Sequence, residues 1–284
     1  MDFRYRRRRY VNAAGLALAA AAMSIGLAAL GWILWTLFSS GFAAFAAFGA
    51  DLFLKSTPAP GTEGGGLANA IVGSAMMVAF ATFVATPIGI LAGIHLAEYG
   101  AHSRLAALTR FVIDVMLSAP SIVIGLFVYA IAVATFGHFS GWSGSLALAL
   151  IAVPVVVRTT ENMLLLVPGS LREAAFALGA PRWKVSLAVA LRAMRGGVVT
   201  GVLLAVARIA GETAPLLFTA LNNQFFTLDM RAPMANLPVV IYNFAMSPYE
   251  NWQELAWGGA ALIALVVLGL NVLARVMFRD RRRG

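Results

Sequence analysis

Long uncharged runs set the pattern of this chain. No acidic or basic residue occurs from Tyr10 to Ala50, Gly64 to Ala97, Val115 to Val157 or Leu255 to Ala274. A helix needs about 20 apolar residues to cross the hydrocarbon core of a bilayer. Each run is long enough, and the third is too long for one helix. The stretch from Gly137 to Gly144 carries glycine and serine at the density of a turn and divides it. A further apolar run follows Arg195. The pattern predicts an all-α, polytopic membrane protein with six transmembrane helices, at about 12–38, 68–97, 111–136, 145–167, 193–220 and 256–278. The first apolar run, Val11 to Phe38, is nearly twice the roughly 7–15 residues of a signal-peptide core, so it reads as a retained span.

The connections differ in character. Residues 39–67 contain Pro58, Pro60 and Gly64 to Gly66 and read as a flexible outer loop. Residues 222–255 hold Phe225, Phe226, Leu237 and the run Val239 to Tyr242 among Pro233, Pro238 and Pro248. That content reads as a folded element lying against the membrane mouth or a partner. Pro87, Pro120, Pro154 and Pro215 are each expected to interrupt one of spans two to five, while spans one and six have no proline. Proline removes a helix hydrogen bond. The placement therefore predicts a kinked inner bundle flanked by two scaffolding helices.

Composition narrows the function classes. Of 284 residues, 61% are hydrophobic and 12% charged, about half the charge of an ordinary soluble domain. Cysteine is absent, which excludes disulfides, iron–sulfur clusters and a thiol nucleophile. The net charge of +9 does not mark a nucleic-acid partner, because the arginines gather at the ends of apolar runs. With both termini in the cytoplasm, 18 basic residues fall on that side. Two, Lys55 and Arg231, fall outside, and Arg208 lies within a span. This asymmetry is the positive-inside pattern of a multi-pass protein of the bacterial inner membrane.

Segment 168–195 is the most basic internal stretch. Pro168 and Gly169 end span four. Ser170 is placed to cap a new helix, with Glu173 three residues later as its capping-box partner. Ala174 and Ala175 are small enough for close helix approach, and Gly179 followed by Pro181 ends the helix. A short surface helix held between two hydrophobic runs suits docking on another protein.

Arg208 and Glu212 are the only charges between Gly196 and Leu228 and are expected near mid-membrane. At i and i+4 they share a helix face. An arginine at the bilayer centre costs about 2.5–3.5 kcal/mol by insertion scales, so it should face a partner or a cavity. Two readings stand beside each other: an ion pair locking two helices, or a substrate-path site in which the guanidinium grips an oxyanion through two parallel hydrogen bonds. Asp114 and the pair Arg158/Glu161 read as helix-end anchors. His95, His102 and His138 lack metal-ligand spacing, and no metal site is expected. No Gly-x-x-x-x-Gly-Lys-Ser/Thr occurs, so this chain does not hold ATP by a P-loop. No nucleophile–base arrangement marks an enzyme.

Residues from about 68 to 280 resemble the permeases of bacterial phosphate-specific ABC importers, the PstA type. The stretch Ile88 to Gly100, the run Glu173-Ala-Ala-Phe-Ala-Leu-Gly179 and the stretch Arg208 to Phe218 with Asn222-Asn-Gln224 carry the resemblance, together with Ala235 to Ile241 and Ala245 to Tyr249. The run at 173–179 resembles the EAA loop by which ABC importer permeases dock on their ATPase. The general pattern ends in leucine-proline, whereas Leu191 here precedes Arg192, so the far end of the loop is expected to pack differently. The resemblance implies the type I ABC importer permease fold, with residues 1–67 as basic tail, first span and outer loop and 68–284 as permease core with a docking loop at 168–192. It implies ATPase docking by Glu173, Ala174, Ala175 and Gly179, and a substrate path at Arg208, Glu212 and Thr213. The implied partners are a homologous permease (PstC type), an ATPase dimer that binds the ATP (PstB type), a periplasmic phosphate-binding protein (PstS type) and membrane lipid. This chain would carry no cofactor. A permease for sulfate, molybdate or phosphonate, or an ion-coupled secondary transporter using Arg208/Glu212 as its relay, are the alternatives.

Overall fold

The apolar runs do become helices. The computed structural model describes residues 3–100 and 103–279, and among these there is no strand. In order, the elements are α1 (Phe3–Phe48), α2 (Asp51–Leu54), α3 (Ala68–Tyr99), α4 (Arg104–Ser118), α5 (Ser121–Phe136), α6 (Gly141–Leu165), α7 (Gly169–Ala177), α8 (Arg182–Ala193), α9 (Arg195–Ala210), α10 (Ala214–Leu217), α11 (Leu237–Ala245) and α12 (Glu250–Arg279). The last turn of α3 (His95–Tyr99) and stretches of α5 and α8 widen to π geometry. Among the described residues, four helices are long and apolar enough to cross a membrane. Two bent pairs, α4 with α5 and α8 with α9, bring the number to six.

α3 and α6 form the centre. Met77, Ala81 and Ala85 of α3 interlock with Leu148, Ile151, Ala152 and Val156 of α6, and Ala205 and Ile209 of α9 close the cluster. Close contact depends on Gly89 and Gly93. A Cβ at Gly89 would lie 2.6 Å from the Val156 side chain, and one at Gly93 would lie 2.6 Å from Thr160. Without a hydrophobic driving force between helices in lipid, such small-residue contacts let dispersion hold the pair. α1 meets α12 in the same way, through Gly41 against Ala261 and Ala44 against Gly258.

Four sequence expectations are corrected here. The first concerns span three, which is not one rod. Its N-terminal part is the separate helix α4, set at 106° to α5. Pro120 disfavours the helical conformation at Ala119, which is extended at φ −68° and ψ 136°. The second concerns the prolines. Pro87 and Pro154 sit inside continuous helices, and Pro215 starts α10, so only Pro120 breaks a helix at its own position. Third, the loop after α1 is shorter and better held than residues 39–67 suggested. α1 continues to Phe48, Leu52 and Leu67 are buried, and the Leu67 amide donates to the Leu52 carbonyl at 2.8 Å. Last, the turn before span four covers only Gly137 to Ser140, because Ser140 caps α6 by accepting from the Ser143 amide.

Residues 222–255 do form a folded element, and it packs on its own chain. Asn236 caps α11 by accepting from the Val239 amide. The buried Leu237, Val240 and Phe244 of α11 join Leu52, Leu67 and Ala70 below and Leu255 and Ala256 of α12 beside them. His102 and Arg281 to Arg283 lie outside the described residues.

Candidate functional site: a broken helix and an exposed helix

α9 ends at Ala210, and the chain runs unwound through Gly211, Glu212 and Thr213 before α10 begins. Glu212 is therefore not on the helix that carries Arg208, as the sequence suggested, but just past its end. The glycine is the local cause, since it costs about 1 kcal/mol in a helix relative to alanine. Helical rise puts Arg208, thirteen residues along from Arg195, ~20 Å from that residue. The Arg208 Nε lies 3.7 Å from Glu212 Oε1, and the two side chains are 42% and 15% exposed. Both residues belong to one continuous segment, so the pair cannot lock two helices together. Thr213 stands beside them, half-buried. Unwound backbone at membrane depth persists only where it is buried in protein or lines a wet cavity.

At the opposite end of α9, beyond α8, lies α7. None of its residues is buried. Glu173, Ala174 and Gly179 are exposed, Ala175 is half-buried, and Phe176 and Leu178 present apolar surface, Leu178 at 88% exposure. The capping box expected at Ser170 does not form. Pro168 already takes the extended conformation before the helix, which starts at Gly169, so Ser170 falls inside the first turn. The exit is as the sequence indicated. Gly179 has φ +78°, its amide donates to the Phe176 carbonyl at 2.9 Å, and the Ala180 amide reaches back to Ala175 at 3.2 Å. This is a Schellman closure, which requires a left-handed residue after the helix.

Comparisons with known proteins show the family. The family described as the binding-protein-dependent transport system inner membrane component matches residues 85–282. The chain belongs to that family. It is 57% identical over 97% of its length, and 92% of the relative, to the phosphate transport system permease protein PstA of Yersinia pestis. To the same-named protein of Haemophilus influenzae (strain ATCC 51907 / DSM 11121 / KW20 / Rd) it is 55% identical, covering 99% of this chain and 98% of the other. To PstA 1 of Mycobacterium tuberculosis (strain CDC 1551 / Oshkosh) it is 36% identical over 98% of this chain and 92% of that relative. Among solved structures, the MetNI methionine ABC transporter in an inward-facing conformation shares the fold. Its TM-score is 0.64 at 18% identity, over 75% of this chain and 94% of that one.

In this permease the segment Asn222 to Gln224 is pinned at the end of α3 remote from α7. The buried Asn69 side chain donates to the Asn223 carbonyl at 2.8 Å and to Gln224 at 3.3 Å, while Thr57 Oγ1 donates to the Gln224 carbonyl at 3.2 Å. Leu221, just before it, holds a left-handed backbone (φ 59°), and Asn236 donates to its carbonyl. His95 stacks on Tyr99, and His138 sits in the turn before α6.

Two ion-pair centres extend beyond the pairing that the sequence offered. Glu161, buried on α6, accepts from Arg110 Nε of α4 at 2.6 Å and from Arg158 Nη1 at 3.3 Å. Arg158 also approaches Asp114 at 3.6 Å. Arg110 Nη2 donates to the Leu96 carbonyl at the end of α3. What read as helix-end anchors is one cluster joining three helices. The second centre, Arg172 with Glu98, is taken up below. Replacing Glu161 with alanine should leave two cations facing one another around a buried gap. That should cost about 1–3 kcal/mol, seen as a lower unfolding temperature of the detergent-purified chain, whereas Asp114→Ala at the exposed end should change it little.

Proposed function

We propose that the chain is a membrane-spanning permease subunit of an ATP-driven inorganic phosphate importer. It forms half of a translocation path with a second, homologous permease. The observation that carries the reading is the identity of 55–57% to proteins named phosphate transport system permease PstA over nearly the whole chain. ATP is bound and hydrolysed by a separate ATPase dimer docked on α7, whose exposed apolar surface supports such a contact, and this chain takes no cofactor itself. A periplasmic phosphate-binding protein delivers substrate to the face formed by the Asn222–Gln224 segment. Arg208 faces the path beside the unwound turn, where its fork matches two oxygens of a tetrahedral oxyanion. Glu212 holds the guanidinium between turnovers, and Thr213 adds a hydroxyl. Alternating access follows when closure of the ATPases moves α7 and the bundle above it reopens on the other side.

Affinity purification of the tagged chain from native membranes tests the assembly. A second permease and an ATPase should co-purify, and recovery of this chain alone would contradict the reading.

Sidedness has its own test. The Asn251 side chain donates to the Thr62 carbonyl at 2.5 Å, so those two positions share one face, remote from Arg182. The basic asymmetry puts Arg182 and both termini in the cytoplasm. Accessibility tags at Thr62 and Asn251 should read periplasmic and tags at Arg182 cytoplasmic. A cytoplasmic signal at Thr62 would reverse the orientation.

A further inference from the structure

The docking helix α7 has no buried residue to hold it to the rest of the chain. Among the described residues, every side-chain hydrogen bond made by α7 comes from one residue, Arg172. Its guanidinium reaches in two directions. Nε and Nη2 grip the Glu98 carboxylate, at 3.1 and 2.7 Å to Oε1. Nη1 donates to the Val167 carbonyl at 2.6 Å and Nη2 to the Leu164 carbonyl at 2.8 Å. Glu98 lies in the widened last turn of α3, and Leu164 and Val167 mark the end of α6. The two side chains are 10% and 20% exposed.

This geometry is a three-way joint. The last carbonyls of a helix have no partner further along it, and Arg172 donates to one of them, Leu164, and to Val167 just past the end of α6. The same fork holds the carboxylate at the end of α3 through paired charge-assisted bonds, which fix direction as well as distance. α3 and α6 are the two helices whose interlocked faces form the core, and the same α6 packs against α9, which carries Arg208. A displacement of α7 therefore reaches the ends of α3 and α6 through this joint, alongside its packing on α8.

We propose that Arg172 and Glu98 are positioning residues that transmit movement of the docking helix to α3 and α6, so that the pair couples ATP hydrolysis to opening of the path. The inference rests on the proposed function, from which it takes the ATPase on α7. Neither residue touches substrate or nucleotide.

The test uses the complete complex of both permeases and the ATPase, reconstituted in proteoliposomes with the binding protein inside or outside as transport requires. The readout is phosphate moved per ATP hydrolysed, together with co-purification of the ATPase. The wild-type complex is measured first, and its failure to move phosphate would overturn the proposed function rather than the joint. Glu98→Gln keeps the shape and one acceptor, and Arg172→Ala removes the fork. Both should assemble with the ATPase and hydrolyse ATP, while phosphate moved per ATP falls about tenfold. Arg172→Lys, which keeps the charge but loses the paired geometry, should fall between them and wild type. A coupling ratio within about twofold of wild type in assembled Glu98→Gln complexes would overturn the inference. So would failure of both Glu98→Gln and Arg172→Ala to retain the ATPase, since the pair would then only hold the loop in place.

Discussion

Replacing Arg208 with alanine is expected to cut phosphate uptake by about tenfold to a hundredfold while insertion and assembly stay normal. Hydrogen bonds to a charged group are worth about 1.5–3 kcal/mol, and each 1.4 kcal/mol is a factor of ten. Arg208→Lys keeps the charge without the fork and should lose less. Alanine also leaves Glu212 unpaired, 15% exposed and repelling the anion. The double change Arg208→Ala/Glu212→Ala distinguishes substrate contact from a purely structural pair. A structural pair costs most when one member is left behind, so removing both should restore function. The geometry favours the other outcome. The charges are 3.7 Å apart on one segment, with the arginine 42% exposed, so the pair joins no two helices and the guanidinium stays open to a further partner. The assembled double variant should remain inactive, and recovery near the wild-type rate would remove Arg208 from the path.

Gly179→Leu is expected to leave the permease inserted but to abolish most ATP-dependent uptake. The reason is backbone strain rather than crowding. A Cβ built on Gly179 meets nothing within 4 Å, but φ is +78°. A side chain there costs about 1–2 kcal/mol in the left-handed region, borne at the exit of a nine-residue helix with no buried residue. Gly179→Asn should retain more activity, because asparagine tolerates that conformation. Wild-type uptake in the leucine variant would rule out α7 and its exit as the coupling element.

The sequence and the structure part company at identifiable places. α3 and α12 were legible because each is essentially one apolar run, and α6 because the glycine- and serine-rich turn before it divides the long run from Val115 to Val157. The α4–α5 corner was not. Hydropathy counts apolar residues and is blind to direction, so Val115 to Leu117 read as membrane span although Pro120 turns the chain by 106°. The start of α7 was misplaced for a related reason. Ser170 fits a capping pattern, but Pro168 had already set the extended residue that starts the helix two positions sooner. Gly179 was legible because few residues other than glycine accept its φ. Arg208 and Glu212 stood out in the sequence because charges in an apolar run have few uses. The environment of Arg208 was not legible, because its four-residue spacing from Glu212 fits an unbroken helix, while the break at Gly211 puts Glu212 past the end of α9. Arg110 with Glu161 and Arg172 with Glu98 were invisible, being 51 and 74 residues apart, brought together only by the packing of α3, α4 and α6.

The most direct test of the account is transport by the purified system. This chain, its homologous permease, the ATPase and the binding protein would be placed in proteoliposomes and supplied with radiolabelled phosphate. The account predicts accumulation that requires ATP, stops with orthovanadate, and is competed by unlabelled phosphate but not by equal sulfate, molybdate or phosphonate. Uptake driven by a proton gradient without the ATPase, or competed as well by sulfate as by phosphate, would contradict it.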